Sequence, residues 1–170
     1  MQRVLITGMS GTGKTSLIRE LARRGYKAVD TDDDWPAWVT PVPDTAEFGP
    51  TDEPDWQWRE DLIQGLLSSD DADLLFISGC ATNQGKFYPQ FDHVILLSAP
   101  PELIVERLAT RTNNSYGKRP EEVARVLSYK ESVEPRLRRT ASLEIDTRAS
   151  LDEVVEKVLA LVRPVTPPPA

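Results

Sequence analysis

Gly8, Gly13, Lys14 and Thr15 stand in the spacing G-x-x-x-x-G-K-T. Each residue type in that pattern suits the gripping of a polyphosphate. Glycines let the backbone bend until successive N–H groups point at one anion. A helix starting near Lys14 adds its positive dipole end. The Lys14 ammonium is a point charge for the β- and γ-phosphates, and the Thr15 hydroxyl is a ligand for the Mg²⁺ that bridges them. Ser10, Gly11, Thr12 and Ser16 complete the loop and the first helical turn. The pattern follows the apolar run Val4-Leu5-Ile6-Thr7 and precedes a helical stretch from Thr15 to Arg24, the context such a loop requires. No Asn-Lys-x-Asp occurs, which disfavours guanine. The expected ligands are ATP and Mg²⁺.

The elements that must position this loop alternate in type. Short apolar runs read as strands at Val4–Thr7, Ala28–Asp30, Leu74–Ser78, Val94–Leu97 and Leu143–Ile145. Helical patterns lie between and after them at Thr15–Arg24, Trp56–Leu67, Pro101–Ala109, Pro120–Arg139 and from Ser150 onward. That alternation predicts an α/β fold with a parallel sheet covered by helices on both faces. Residues 31–55, rich in Asp, Pro and Trp, read as one long irregular segment, and loops of that length are usually functional. Residues 1–163 are expected to form a single domain, and 164–170 a disordered Pro-rich tail.

Bulk composition narrows the partners. The 170 residues carry a net charge of −7 and 39% hydrophobic residues, a globular and acidic chain. Acidic chains make poor partners for nucleic acid or anionic membranes. A single cysteine, Cys80, allows no internal disulfide, and no stretch approaches the roughly 18 apolar residues of a membrane span. A cytoplasmic location is expected. The oligomeric state is not legible.

Three further segments carry chemistry. Asp30-Thr31-Asp32 follows the second strand, Ser78-Gly79 the third, and Tyr116-Gly117-Lys118-Arg119-Pro120 the helix after the fourth. With the phosphate loop, this order resembles the shikimate and gluconate kinase branch of the nucleoside-monophosphate-kinase-like P-loop kinases, over roughly residues 3–162. The resemblance implies a three-layer α/β/α P-loop fold with a five-stranded parallel sheet, a lid over ATP at about 111–119, and phosphoryl transfer to a small acceptor bound near 31–70. It implies that Asp30 helps to hold Mg²⁺, and that Asp32 binds and deprotonates the acceptor hydroxyl. It places Arg111 on the adenine, Arg119 on the phosphates, and Asp146-Thr147-Arg148 beside the adenine. Independent chemistry agrees: a carboxylate at a strand's carboxyl end lies where open α/β sheets bind ligands, and a cation preceding a helix is poorly placed for a structural role. Catalytic weight therefore falls on Lys14, Asp32 and Arg119, and nucleotide binding extends to Arg111 and Arg148.

The acceptor half departs from that branch. Gly79 is followed by Cys80 and Ala81 instead of two more glycines, Val133 stands where the branch carries an Arg for the substrate carboxylate, and its Phe-Arg pair becomes Trp58-Arg59. Shikimate is thus an unsuitable substrate. Residues 31–70 hold eleven acids and one base, Arg59, which favours a neutral or cationic acceptor over a monophosphate. All four tryptophans, Trp35, Trp38, Trp56 and Trp58, share the segment, either stacking on a ligand or anchoring the loop. Acceptor contacts are expected from Asp32, Arg59, Trp35 and Gly79, with Asn83, Gln84 and Lys86 as further candidates. Cys80 reads as a small buried filler. Two alternatives stand beside the small-molecule kinase: a nucleotide kinase drawing cations from Lys86, Lys118 and Arg136, and an ATP-binding switch with little turnover.

Overall fold

The structure, a computed structural model, describes residues 1–33, 35–42 and 55–162. The expected Pro-rich tail lies outside the described residues. Strands β1 (Gln2–Thr7), β2 (Lys27–Asp30), β5 (Leu74–Ser78), β6 (His93–Ser98) and β7 (Leu143–Asp146) form a parallel sheet in the order β2-β5-β1-β6-β7. The strand alternation of side chains divides the core. Val4 and Ile6 of β1 join Leu17, Ile18 and Leu21 of α1 (Lys14–Arg23) and the apolar face of α7 (Leu151–Val162). Leu5, between them, points the other way, into Ile63 and Leu67 of α3 (Glu60–Ser68). Period-two strands between period-3.6 helices give the three layers directly. Among the described residues no helix is long and apolar enough to cross a membrane.

The region after β2 is more ordered than its composition suggests. A short helix α2 (Trp35–Trp38) leads into an antiparallel hairpin of β3 (Val39–Val42) and β4 (Asp55–Trp58), in which Val39 pairs with Trp58. Residues 35–42 and 55 of the segment read as irregular are therefore in regular structure, residues 34 and 43–54 of it lie outside the described residues, and the helix expected from Trp56 begins only at Glu60. Trp58 explains the change. Its backbone N–H donates to Asn83 Oδ1 at 2.9 Å, Asn83 Nδ2 donates back to its carbonyl at 3.0 Å, and its indole N–H donates to Thr31 Oγ1 at 3.0 Å. The Asn83 amide thus acts as a short piece of partner strand, fixing an extended backbone where the local sequence would accept a helix. Thr31 in turn donates to the Ser78 carbonyl at 2.8 Å, and a Cβ at Gly79 would lie 2.1 Å from its hydroxyl. Gly79 is there because no side chain fits between β5 and Thr31.

A second correction concerns the helix expected over 120–139. It is two: α5 (Pro120–Ser132) and α6 (Glu134–Thr140), broken at Val133. Pro135 is tolerated in the first turn of a helix but has no N–H to continue a preceding one. Helix α4 (Pro101–Thr110) packs Ile104 and Leu108 against Val126 of α5, and a 3-10 turn at Gln84–Gln90 closes the path from β5 to β6.

Asn83→Ala should lower stability by about 2 kcal/mol, the cost of leaving two buried backbone groups unpaired, read as a reduced midpoint in urea unfolding. An unchanged midpoint would mean the hairpin does not depend on this amide.

Candidate active site

The phosphate loop turns at Gly8, Gly11 and Gly13, with φ of 145°, 84° and 100°. Gly8 is pressed against β6, where a Cβ would approach the Leu97 carbonyl oxygen to 2.4 Å. Gly13 precedes α1 with no side-chain cap, and the first turn of α1 contains no acid. Helices α3, α4, α5 and α7 all carry acids there. The positive end of α1 is instead joined by Lys14, whose ammonium is buried and donates to the carbonyls of Gly8 and Met9 at 2.8 and 3.2 Å. Uncapped amides, a helix dipole and an ammonium converge where an anion offsets all three.

Asp32 Oδ2 lies 3.5 Å from Lys14 Nζ. Burial pushes the Asp32 carboxyl above its ordinary range, the Lys14 charge pulls the other way, and nearby Asp30 adds to the rise. The side chain nevertheless remains accessible from the cleft. Asp30 sets this geometry: its Oδ1 accepts from the backbone N–H of Asp32 at 2.9 Å and from Ser78 Oγ at 3.0 Å. Its Oδ2 is buried with no hydrogen-bond partner. An unmatched buried carboxylate oxygen is costly, and a cation or its bound water removes the cost. Among the described residues no cluster of three or more His, Cys, Asp or Glu could hold a metal alone. That donor set suits Mg²⁺ shared between Thr15, Asp30 and phosphate oxygens, since Mg²⁺ commonly uses one or two protein ligands. Asp33 is elsewhere engaged, in a two-oxygen pair with Arg19 at 2.8 Å.

A cleft of about 1360 Å³ joins this centre to the segment between α4 and α5. Gly8, Ser10, Gly11, Gly13, Lys14, Thr15 and Ser16 line it, as do Asp32 and Arg111. Thr12 is buried beneath, its hydroxyl donating to the Met9 carbonyl at 2.8 Å. Arg111 donates through Nη2 to the Tyr116 carbonyl, and its Nε is buried without a partner. Burial lowers the Arg111 pKa and the charge of Asp32 opposes the change.

Several expected residues are placed elsewhere. Arg119 is outside the cleft lining; it is held by Glu122 at 2.8 Å and faces Glu121 at 3.6 Å. Arg148 pairs with Asp146 at 2.7 Å on the surface, and Arg59 is exposed at the start of α3. Neither lines the cleft. The side chain of Trp35 lies outside the described residues. Gly79 and Asn83 serve packing and the hairpin, as above. Lys86 pairs with Glu60 at 2.5 Å, and Lys118 donates to the Ala109 carbonyl at 2.8 Å at the end of α4. Cys80 is not a buried filler: it opens onto the cleft, in a wall dense enough to push its thiol pKa up. The tryptophans divide their work, Trp58 buried as the anchor and Trp56 exposed on the cleft.

Sequence reasoning missed Arg107, Arg125, Tyr129 and Glu122, all of which line the cleft. Arg107 stands four residues before Arg111, one helical turn, and that spacing was a usable signal. Arg125 and Tyr129 share the same i, i+4 relation on α5.

The family model described as an AAA domain matches residues 4–132, from β1 through the phosphate loop to the end of α5. The chain belongs to this family. Among solved structures, this AAA domain is similar to shikimate kinase from Acinetobacter baumannii in complex with shikimate, at 21% identity and a TM-score of 0.65, covering 95% of this chain and 93% of that one. It is also similar to a Thermus thermophilus protein at 19% identity and TM-score 0.58, covering 96% and 98%, and to shikimate kinase from Bacteroides thetaiotaomicron at 15% and 0.56, covering 95% and 98%. These likenesses show the P-loop kinase fold. No curated protein matches the AAA domain in sequence.

Glu122 holds the segment before α5 in the arrangement seen. Its Oε2 accepts from the Gly117 N–H at 2.8 Å, and its Oε1 accepts from Arg119 Nη2 at 2.8 Å. The Arg119 hydrogen bond, above all, brings its pKa from 4.5 to about 2. A carboxyl depressed on folding stabilises above its unfolded value and loses that contribution as pH falls toward the folded one. Glu20, also about 2 through Arg23 and Arg24, acts in the same direction. Stability should therefore fall between about pH 4.5 and pH 2, and Glu122→Gln should flatten part of that fall in thermal melts. Identical pH dependence in the two proteins would show that Glu122 does not latch this segment.

Proposed function

We propose that this protein is an ATP- and Mg²⁺-dependent kinase that transfers the γ-phosphoryl group to a hydroxyl of a small acceptor. The supporting observation is the 3.5 Å approach of Asp32 to Lys14: one ammonium is shared by the phosphate loop and a cleft carboxylate. Lys14 draws the γ-phosphate toward Asp32, and Asp32 orients an acceptor hydroxyl in line with it. As the acceptor oxygen bonds to the γ-phosphorus, the bond to the β–γ bridging oxygen breaks, ADP leaves and the hydroxyl proton passes to Asp32. Thr15 and Asp30 would hold Mg²⁺, which would supply charge neutralisation at the phosphates. Arg111 reaches the nucleotide from the base of the lid. Arg119 joins it only after exchanging Glu122 for phosphate, so lid closure and charge neutralisation become one event.

The acidic segment 31–70 favours a neutral or cationic acceptor, and Trp56 and Tyr88 on the cleft suit a ring-bearing one. A second reading has a specific observation behind it. Arg125 and Arg136 both line the cleft, and a pair of guanidiniums favours an acceptor with an acidic group, nucleoside monophosphates included.

An acceptor screen coupled to ADP release, spanning sugars, nucleosides, amino sugars and monophosphates, tests both readings. Turnover of a neutral or amine-bearing alcohol supports the first, and turnover of a monophosphate the second. The absence of any acceptor-stimulated ADP release would support an ATP-binding switch instead. With the acceptor found, Asp32→Asn should reduce kcat about 10²- to 10⁴-fold with little change in MgATP affinity. The acid limb of kcat/KM should fall above the ordinary carboxylate range, because Asp32 acts only when deprotonated and burial raises its pKa. Full activity of Asp32→Asn would remove it as the base.

A further inference from the structure

The side of the phosphate loop that faces α4 and the loop after β7 is held by cleft-lining residues to which the reaction above gives no role. Arg107 on α4 donates through Nη1 to Thr147 Oγ1 at 2.8 Å and through Nη2 to the Thr147 carbonyl at 2.6 Å, and its Nη1 lies 3.5 Å from the Gly11 carbonyl oxygen. Thr147, just past β7, is buried and donates through Oγ1 to the Thr12 carbonyl at 2.8 Å. The same oxygen lies 3.2 Å from the Ser98 carbonyl, and the Thr147 N–H donates to that carbonyl at 2.8 Å. The end of β6, the loop after β7 and α4 therefore meet on the loop's middle peptides.

We propose that Thr147, itself oriented by Arg107, is a positioning residue that aims the Gly13 N–H at the bound phosphates by holding the Thr12 carbonyl at the opposite edge of their shared peptide plane. A trans peptide is planar, with its C=O and N–H pointing in opposite directions. The Thr12 carbonyl and the Gly13 N–H belong to one such plane. A hydroxyl fixing the carbonyl toward the loop after β7 therefore turns the N–H away from that loop. Without that hydroxyl the plane is free to rotate, because Gly13, at φ 100°, has no Cβ to restrain it. Arg107 lies beside the same residue, 3.9 Å from where a Gly13 Cβ would be. Its guanidinium is forked around Thr147, which fixes the hydroxyl's direction. The inference rests on the ATP-binding reading and adds to it the device that orients the loop.

Thr147→Val keeps the shape and removes the hydroxyl, and Thr147→Ser keeps the hydroxyl. Calorimetry with MgATP and with magnesium tripolyphosphate, on both variants and the parent, separates the possibilities. The expected result is about tenfold or greater weakening in Thr147→Val for both ligands alike, with near-parent affinity in Thr147→Ser, since one hydrogen bond to a charged group is lost. The Gly13 amide resonance should shift on ligand addition in the parent and in Thr147→Ser and should not in Thr147→Val, a readout that general loss of stability does not imitate. Should Thr147→Val fail to fold, Arg107→Lys, which loses the fork, should weaken both ligands in the same way. Parent-like binding by Thr147→Val or, in its absence, by Arg107→Lys overturns the proposal while leaving the ATP reading intact, and so does weakening confined to ATP. A parent that binds neither ligand overturns both.

Discussion

The positive end of α1 has no protein acid in its own first turn, and it is joined by a buried lysine. Such an end is unfavourable in isolation: amides without partners, a dipole without a counter-charge and an ammonium removed from water. The chain tolerates it through two partial remedies. Lys14 turns back to the Gly8 and Met9 carbonyls, and Asp32 stands 3.5 Å away. Both leave the accumulated positive charge open to a better anion. The left-handed glycines, the press of Gly8 on β6 and the exclusion of acids from one helix start all follow from keeping that charge in place.

The second half of the cleft is assembled from distant parts by neutral hydrogen bonds. Thr31, Trp58 and the loop carrying Gly79 and Asn83 are three separate stretches, yet each fixes the next: the indole on the threonine, the threonine on β5, the Asn83 amide on the indole's own backbone. Asp32 follows Thr31 directly, so the carboxylate is positioned by the same stitching that anchors the hairpin. This ties the shape of the cleft to stability, because Trp56, on its wall, stands two residues before the buried Trp58 on the same strand.

Legibility followed range. The phosphate loop, its strand and its helix depend on residues within one short stretch, and their spacing names them. The D-x-D after β2 is equally local, and the resemblance to the P-loop kinases supplied its neighbours. What could not be read rests on partners far along the chain. Nothing near Trp58 announces that Asn83, 25 residues on, replaces a strand, so a helix was the natural expectation. Arg119 is a different case: its helix-start position suggested a ligand role, but Glu122 three residues later meets the same charge. The break at Val133 was legible, since Pro135 is incompatible with an uninterrupted helix. Cys80 reads as filler only until the cleft beside it is known.

Isothermal titration of MgATP into the folded protein and into Lys14→Ala tests the central claim most directly. Binding to the parent with a loss of about a hundredfold or more in the variant is the predicted result, as expected when a buried cation leaves a charged hydrogen-bonded site. No heat with the parent, or equal affinity in the two proteins, would contradict the account.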